Sequence, residues 1–193
     1  MDGQYIWGES DLDQLGANFH EQLSILADAG VDLLQLEFLG ATADDIEAVV
    51  SRALEIGLPV VASLSATVDD NGTAVLTDVS SGSTVDGGSD TVCEAVRRIA
   101  NSGVAAICDM HSEIDEIDTI LPAIREEWSG PLGAYPNRTG FWDGRHWVFT
   151  EDVTPQAYAD RARRWVDMGA TIVGGCCGTT PAMIAAVSAA LKS

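Results

Sequence analysis

The sequence predicts an α/β domain built on a parallel sheet. Short apolar runs alternate along the chain with amphipathic stretches of helical period, one helix between each pair of runs, and glycine stands where most helical stretches stop. Strand, crossover helix and strand in that order make right-handed βαβ units, whose strands lie parallel and are covered by their helices.

The first helix is expected from Asn18 to Ala29, closed by Gly30, and the first strand from Leu33 to Phe38. A helix from Ala43 to Ile56 ends at Gly57 and feeds a strand from Val60 to Leu64. Asp90 to Asn101 is the next helix, with Gly103 behind it, followed by a strand from Val104 to Cys108. Ile114 to Trp128 reads as helix and Leu132 to Tyr135 as strand. The last unit holds a helix from Pro155 to Met168 ending at Gly169, a strand from Thr171 to Val173, and a helix from Pro181 to Leu191. Proline suits the first helical turn, and glycine suits the left-handed residue that closes a helix. Residues 66–90, rich in Asp, Gly, Ser and Thr, and Arg138 to Thr154 read as irregular excursions. Both follow strands, so both belong to the carboxyl-end face where such folds carry their chemistry.

With 193 residues, 46% of them hydrophobic, the chain can bury one good core. No apolar run is long enough to span a membrane, and the first residues have neither the basic region nor the apolar core of a signal peptide, so a cytoplasmic protein is expected. Thirty acidic against ten basic residues give a net charge of −20, which argues against nucleic acid or an anionic membrane as partner. Lys192 is the single lysine; so acidic a chain fits a salt-rich solvent that screens its self-repulsion. Four cysteines, two of them adjacent, do not form a secreted disulfide framework and point instead to metal binding or catalysis. Cys93, beside Val92 and Val96 on a helix, reads as structural.

The adjacent pair lies in Gly174-Gly175-Cys176-Cys177-Gly178-Thr179-Thr180-Pro181, on a strand-to-helix loop. A disulfide between neighbours closes a strained ring, whereas a sharp glycine-flanked turn lets both sulfurs face one metal ion. Cysteine-bound zinc in enzymes takes three protein ligands and keeps one position for water or substrate.

This octapeptide resembles the signature of the zinc-dependent homocysteine S-methyltransferase family. Ala29-Gly30-Val31-Asp32-Leu33-Leu34-Gln35-Leu36-Glu37, Gly57-Leu58-Pro59-Val60-Val61-Ala62-Ser63 and Tyr135-Pro136-Asn137 resemble further landmarks of that family, in its order. The resemblance implies a TIM-type (β/α) barrel, and five readable strands against the eight of a closed barrel make it partial, about five to six units of eight. Residues 16–193 are then the (β/α) domain and residues 1–15 an N-terminal extension. Either the barrel stays partial, or a partner subunit or second copy supplies the missing wall, or the sheet is open with edges prone to self-association.

The implied activity is methyl transfer to the metal-activated thiol of homocysteine, giving methionine, with Zn2+ as cofactor and a thiol substrate and methyl donor as partners. The alternatives are a shortened, inactive relative that binds zinc or an amino acid, and a methyltransferase for another thiol or selenol. The family's zinc ligands match Cys176 and Cys177, and ungapped alignment of Val104 to Ile107 and Asp115 to Ile117 puts His111 at the third ligand, a cysteine in the family. Cys108 is the alternative if the loop shifts. Glu37 matches the residue that contacts the substrate amine, and Phe38 follows it where the family has threonine. Ser63 and Ser65, alternating along one strand, are candidate substrate contacts, and Asn137 either orients a ligand or braces a loop. Phe141, Trp142, Trp147 and Phe149, with Arg145 and His146, would wall a donor pocket. Met183 replaces a usual histidine.

Overall fold

The computed structural model describes residues 11–192 other than 39, 79–85, 139, 144, 146 and 150–152. The chain begins with α1 (Leu12–Asp28), β1 (Leu34–Phe38), α2 (Ala43–Leu54) and β2 (Val60–Leu64). It continues through β3 (Ala66–Val68), β4 (Ala74–Asp78), β5 (Asp86–Thr91), α3 (Val92–Ile99), β6 (Ala106–Glu113) and α4 (Ile117–Glu127). The remaining elements are β7 (Leu132–Asn137), β8 (Gly140–Trp142), β9 (Trp147–Phe149), α5 (Pro155–Asp167), β10 (Ile172–Val173) and α6 (Pro181–Leu191).

Five strands form one sheet in the order β1-β2-β6-β7-β10, every neighbouring pair parallel. This is the expected arc of βα units. Its helices take one face. Leu34, Leu36 and Phe38 of β1 and Val60, Ala62 and Leu64 of β2 pack in a single core with Ile46, Val49 and Val50 of α2 and Val92 and Val96 of α3. Farther along, Ile120, Leu121 and Ile124 of α4 and Tyr158 and Trp165 of α5 extend that core, the two rings meeting edge to face at 5.6 Å. The opposite, inner face is open: β1 alternates buried and exposed residues, with Gln35 and Glu37 exposed, and Leu33 and Ile172 keep 48% and 40% of their surface. Gly30, Gly57, Gly103 and Gly169 all take positive φ, as the helix ends require. Among the described residues no helix is long and apolar enough to cross a membrane.

Besides shifts of one or two residues at other ends, four departures from expectation stand out. The first helix starts at Leu12, not Asn18, because Asp11 caps it by accepting from the backbone of Asp13 and Gln14, and Leu15 is buried. The boundary drawn after residue 15 therefore falls inside α1, while residues 1–10 lie outside the described residues. The excursion at 66–90 contains a three-stranded antiparallel sheet, β3-β4-β5. Its first turn is closed by Asp69, whose carboxylate accepts from the backbone of Asn71 and Thr73 at 2.9 and 2.8 Å, with Gly72 at φ 81°. Arg138 to Thr154 includes the antiparallel pair β8-β9. Lastly, β6 runs five residues past Cys108, to Glu113, and α4 starts correspondingly late.

Candidate metal centre

The extension of β6 creates the site. Met110 pairs with Tyr135 and Glu113 with Asn137, so His111 and Ser112 stand opposite the single residue Pro136, a β-bulge. His111 takes φ 63° there, the single non-glycine residue at positive φ among those described. Histidine is among the few residues that adopt this conformation without a large penalty. Ser112 anchors the far side: its hydroxyl donates to the buried Asp109 carboxylate at 2.6 Å and accepts from the Ala66 backbone at 3.1 Å. Burial pushes the Asp109 carboxyl well above its ordinary pKa, against that hydrogen bond.

The thiols arrive from the loop between β10 and α6. Gly174 donates its N–H to Ala134 O, Cys176 to Pro136 O, and Arg138 donates back to Cys177 O, at 3.0, 2.9 and 2.9 Å, so the loop is laced to the end of β7. A side chain at Gly175 would strike Thr179, and one at Gly178, where φ is 78°, would strike the ring of Phe149. The Arg138 guanidinium covers that ring at 4.6 Å. The turn between the cysteines therefore depends on glycine at both flanks.

His111, Cys176 and Cys177 come together as expected. Their donor atoms lie within 4.8 Å of one another, with Cys176 Sγ 3.8 Å from His111 Nδ1 and 4.0 Å from Cys177 Sγ. Tetrahedral zinc with bonds of about 2.3 Å to sulfur and about 2.05 Å to nitrogen would separate two sulfurs by about 3.8 Å and sulfur from nitrogen by about 3.6 Å. The two separations from Cys176 thus need about 0.2 Å each to close on a metal, and the nitrogen and sulfur donors are the kinds zinc prefers. Burial pushes the Cys176 thiol up to about 11, helped by Cys177 and Glu37, and pushes His111 down against the pull of Glu37. Cys176 is thus held protonated at pH 7, and His111 is in the unprotonated form that ligates.

Cys108 does not join the cluster. It lies within β6, buried, on the inner face beside Gly133, where a side chain would strike its sulfur, and burial raises its thiol to about 11. Glu37 sits on that same face, close enough to act on both His111 and Cys176. Its Oε1 accepts from Gln35 Nε2 at 3.3 Å and from the Tyr135 hydroxyl at 3.2 Å, and Gln35 donates to Tyr135 at 2.8 Å. Gln35 and Tyr135 were not among the expected site residues; two-residue alternation with Glu37 is the signal that puts Gln35 on this face. Gln35 and Tyr135 border a cavity of about 330 Å³ whose lining includes Leu33, Val61, Cys108, Ile172 and Gly174.

Ser63 is fully buried beside Tyr135 and Cys108, completing a hydrogen bond to neither. Ser65 departs from its expected placement: β2 ends at Leu64, and Ser65 turns the corner into β3, its carbonyl accepting from Thr77. Asn137, 1% exposed, spends its amide on backbone, donating to His111 O at 2.7 Å and accepting from Cys177 N at 3.0 Å. Both bonds brace the backbone that carries the candidate ligands. Of the aromatic cluster, His146 and the side chains of Phe141, Trp142 and Trp147 lie outside the described residues. Phe149 packs on Gly178, and Arg145 is exposed. Met183 is buried in the core.

The chain matches the family model described as homocysteine S-methyltransferase over residues 1–191. It is 28% identical to homocysteine S-methyltransferase 3 of Arabidopsis thaliana across 97% of its own length and 51% of that protein's. It is likewise 28% identical to selenocysteine methyltransferase of Astragalus bisulcatus, over 97% and 53%. In structure it resembles the metallated form of the homocysteine methyltransferase MmuM of Escherichia coli, with a TM-score of 0.67 and 26% identity, over 97% of this chain and 56% of that one. The chain thus spans about half the length of the full-length relatives it matches.

Proposed function

The chain belongs to the homocysteine S-methyltransferase family, and from that premise we propose that it moves a methyl group to the thiol of homocysteine at a zinc site formed by His111, Cys176 and Cys177. The observation that carries this reading is one histidine nitrogen and two sulfurs within 4.8 Å of one another, the cysteines directly following the cavity-lining Gly174 and Gly175, with the Glu37 carboxylate close enough to act on His111 and Cys176. Zinc, when bound there, supplies the Lewis acidity that brings an incoming thiol into its nucleophilic form at neutral pH. A neutral His111 in place of a third thiolate leaves the ligand set with one less negative charge, which strengthens that effect. Glu37 takes the substrate ammonium; Gln35 and Tyr135, both bound to Oε1, fix the carboxylate and leave Oε2 toward the ligand. Apolar Leu33, Val61 and Ile172 then line the space for the methylene chain. Four free cysteines suit a reducing compartment, the cytoplasm.

Metal analysis of the purified protein, then calorimetry with homocysteine on the zinc-loaded form, tests the reading. One zinc per chain and homocysteine heat that vanishes in Cys176→Ser are expected; a metal-free protein, or zinc without homocysteine binding, sinks it. Turnover with sulfonium, betaine or methylfolate donors, and with selenocysteine beside homocysteine as acceptor, assigns donor and acceptor.

The open inner face favours a second reading, in which a further subunit or a second copy closes the barrel. Light scattering at high salt decides it: a dimer abolished by Ile172→Glu supports closure, a monomer that binds homocysteine refutes it.

A further inference from the structure

We propose that Asn137 is the positioning residue that sets the spacing of the metal ligands, its single carboxamide tying the His111 backbone to the Cys177 backbone. The inference rests on the reading of His111, Cys176 and Cys177 as a metal site. Two chain segments far apart in sequence must present donor atoms to one ion, and each reaches the site through irregular backbone. On one side, the β6–β7 ladder lapses between Met110 and Glu113, where His111 takes φ 63°. On the other, the loop after β10 turns between its glycines.

Asn137 sits at the end of β7, between them. Its Nδ2 donates to the His111 carbonyl at 2.7 Å and its Oδ1 accepts the Cys177 N–H at 3.0 Å, while the residue is 1% exposed. The amide therefore fills the lapse in the ladder with a side-chain rung and carries that rung across to the cysteine loop. Backbone bonds from Cys176 to Pro136 and from Arg138 to Cys177 hold the loop on β7, and the Asn137 amide reaches beyond β7 to the bulge that bears the histidine. One donor and one acceptor at fixed separation on a short, planar group are what this link needs. Leucine has the same branched skeleton, somewhat larger, and neither function. Both amide atoms are engaged with backbone, so Asn137 acts on the ligands through the chain that bears them.

The test uses the intact chain, with zinc affinity measured by chelator competition and the site read by the absorption spectrum of the cobalt(II) form. Asn137→Leu and Asn137→Ala are expected to bind zinc about 10- to 100-fold more weakly, as loss of a group that orients ligands does elsewhere. Their cobalt spectra are expected to lose the intense tetrahedral bands or shift them. Val96→Ala, in the core of α3 away from the site, serves as a control that lowers stability without touching the link. It is expected to keep wild-type affinity and spectrum. Wild-type affinity in both Asn137 variants, or an equal loss in Val96→Ala, overturns the proposal while leaving the metal site standing. A wild-type chain that takes up no zinc overturns the proposed function and this inference together. Should the leucine and alanine variants fail to fold, Asn137→Ser, which keeps a hydroxyl at the position, replaces them under the same criteria.

Discussion

Replacing Cys176 by serine removes one sulfur from the cluster and alters little else, since the side chain is half-buried and the oxygen occupies nearly the same place. The separations of 3.8 and 4.0 Å from Cys176 exceed those of a closed tetrahedral site by only about 0.2 Å each, so its sulfur stands close to ligating position and metal binding reports on folding stability. Zinc at about 1,000 times its dissociation constant stabilises the native state by about 4.1 kcal/mol, less whatever the unfolded thiols bind. For a domain of this size each kcal/mol moves the melting temperature by about 2–4 °C, giving a rise of about 8–16 °C on zinc addition. In Cys176→Ser two ligands remain and the rise is expected to shrink to about 2 °C or less at the same zinc concentration, with the metal-free melting temperature within about 2 °C of wild type. Thermal denaturation across a zinc titration, with magnesium as the oxygen-seeking control, measures both quantities. A serine variant that keeps the full zinc-induced rise would refute the assignment of Cys176 as a ligand.

Zinc affinity should climb with pH. Cys176 holds its proton up to about 11, so each pH unit between 7 and 9 should raise affinity about tenfold for that thiol alone, while His111, pushed below its ordinary value, adds no competing proton; chelator competition across this range checks it. The same shift predicts alkaline weakening of the metal-free fold. Between pH 9 and 11 the unfolded chain loses the Cys108 and Cys176 protons while the folded chain retains them, so the denaturation midpoint falls across that window, and a flat profile counts against the burial. Gly133→Ala would drive a methyl into Cys108 Sγ, with Ile172 Cβ 3.2 Å away, and should cost about 1–3 kcal/mol by denaturant melts; adding Cys108→Ala should recover most of it, and additive losses would disprove the clash. With a net charge of −20, the melting temperature should rise as salt shortens the screening length from about 10 Å at 0.1 M to about 3 Å at 1 M; a salt-independent melt would show that self-repulsion is minor.

All five strands of the parallel sheet were legible because each is an apolar run and four of them follow a helix end that needs glycine, and both signals are local. The elements that were missed are held by contacts periodicity does not register. The hairpin of β3 and β4 turns on Asp69 and Gly72, residues that read as loop although they close a turn between short strands. The last residues of β6, Asp109-Met110-His111-Ser112-Glu113, mix polar and apolar types without alternation, and their strand form depends on β7 and on the Ser112 bonds to Asp109 and Ala66. The Gln35–Tyr135–Glu37 cluster joins strands a hundred residues apart and shows itself only once β1 and β7 share a sheet.

The same strand end explains why residue 111, and not residue 108, stands beside the two cysteines. Along a regular strand, alternate side chains share a face. Cys108 pairs with Gly133, Met110 with Tyr135, and both positions belong to the inner face with Ser63 and Glu37. Residue 111 of an unbroken β6 would therefore point toward the helices. Setting two residues of β6 against one of β7 reverses that parity, and the positive φ at residue 111 is where the reversal takes place. The bulge brings the histidine to the carboxyl-end rim, level with the cysteine loop, while Cys108 stays below among packed side chains that keep its thiol protonated. Ungapped alignment singles out the residue that the structure sets beside the two cysteines, although alignment carries no sign of the bulge that turns it there.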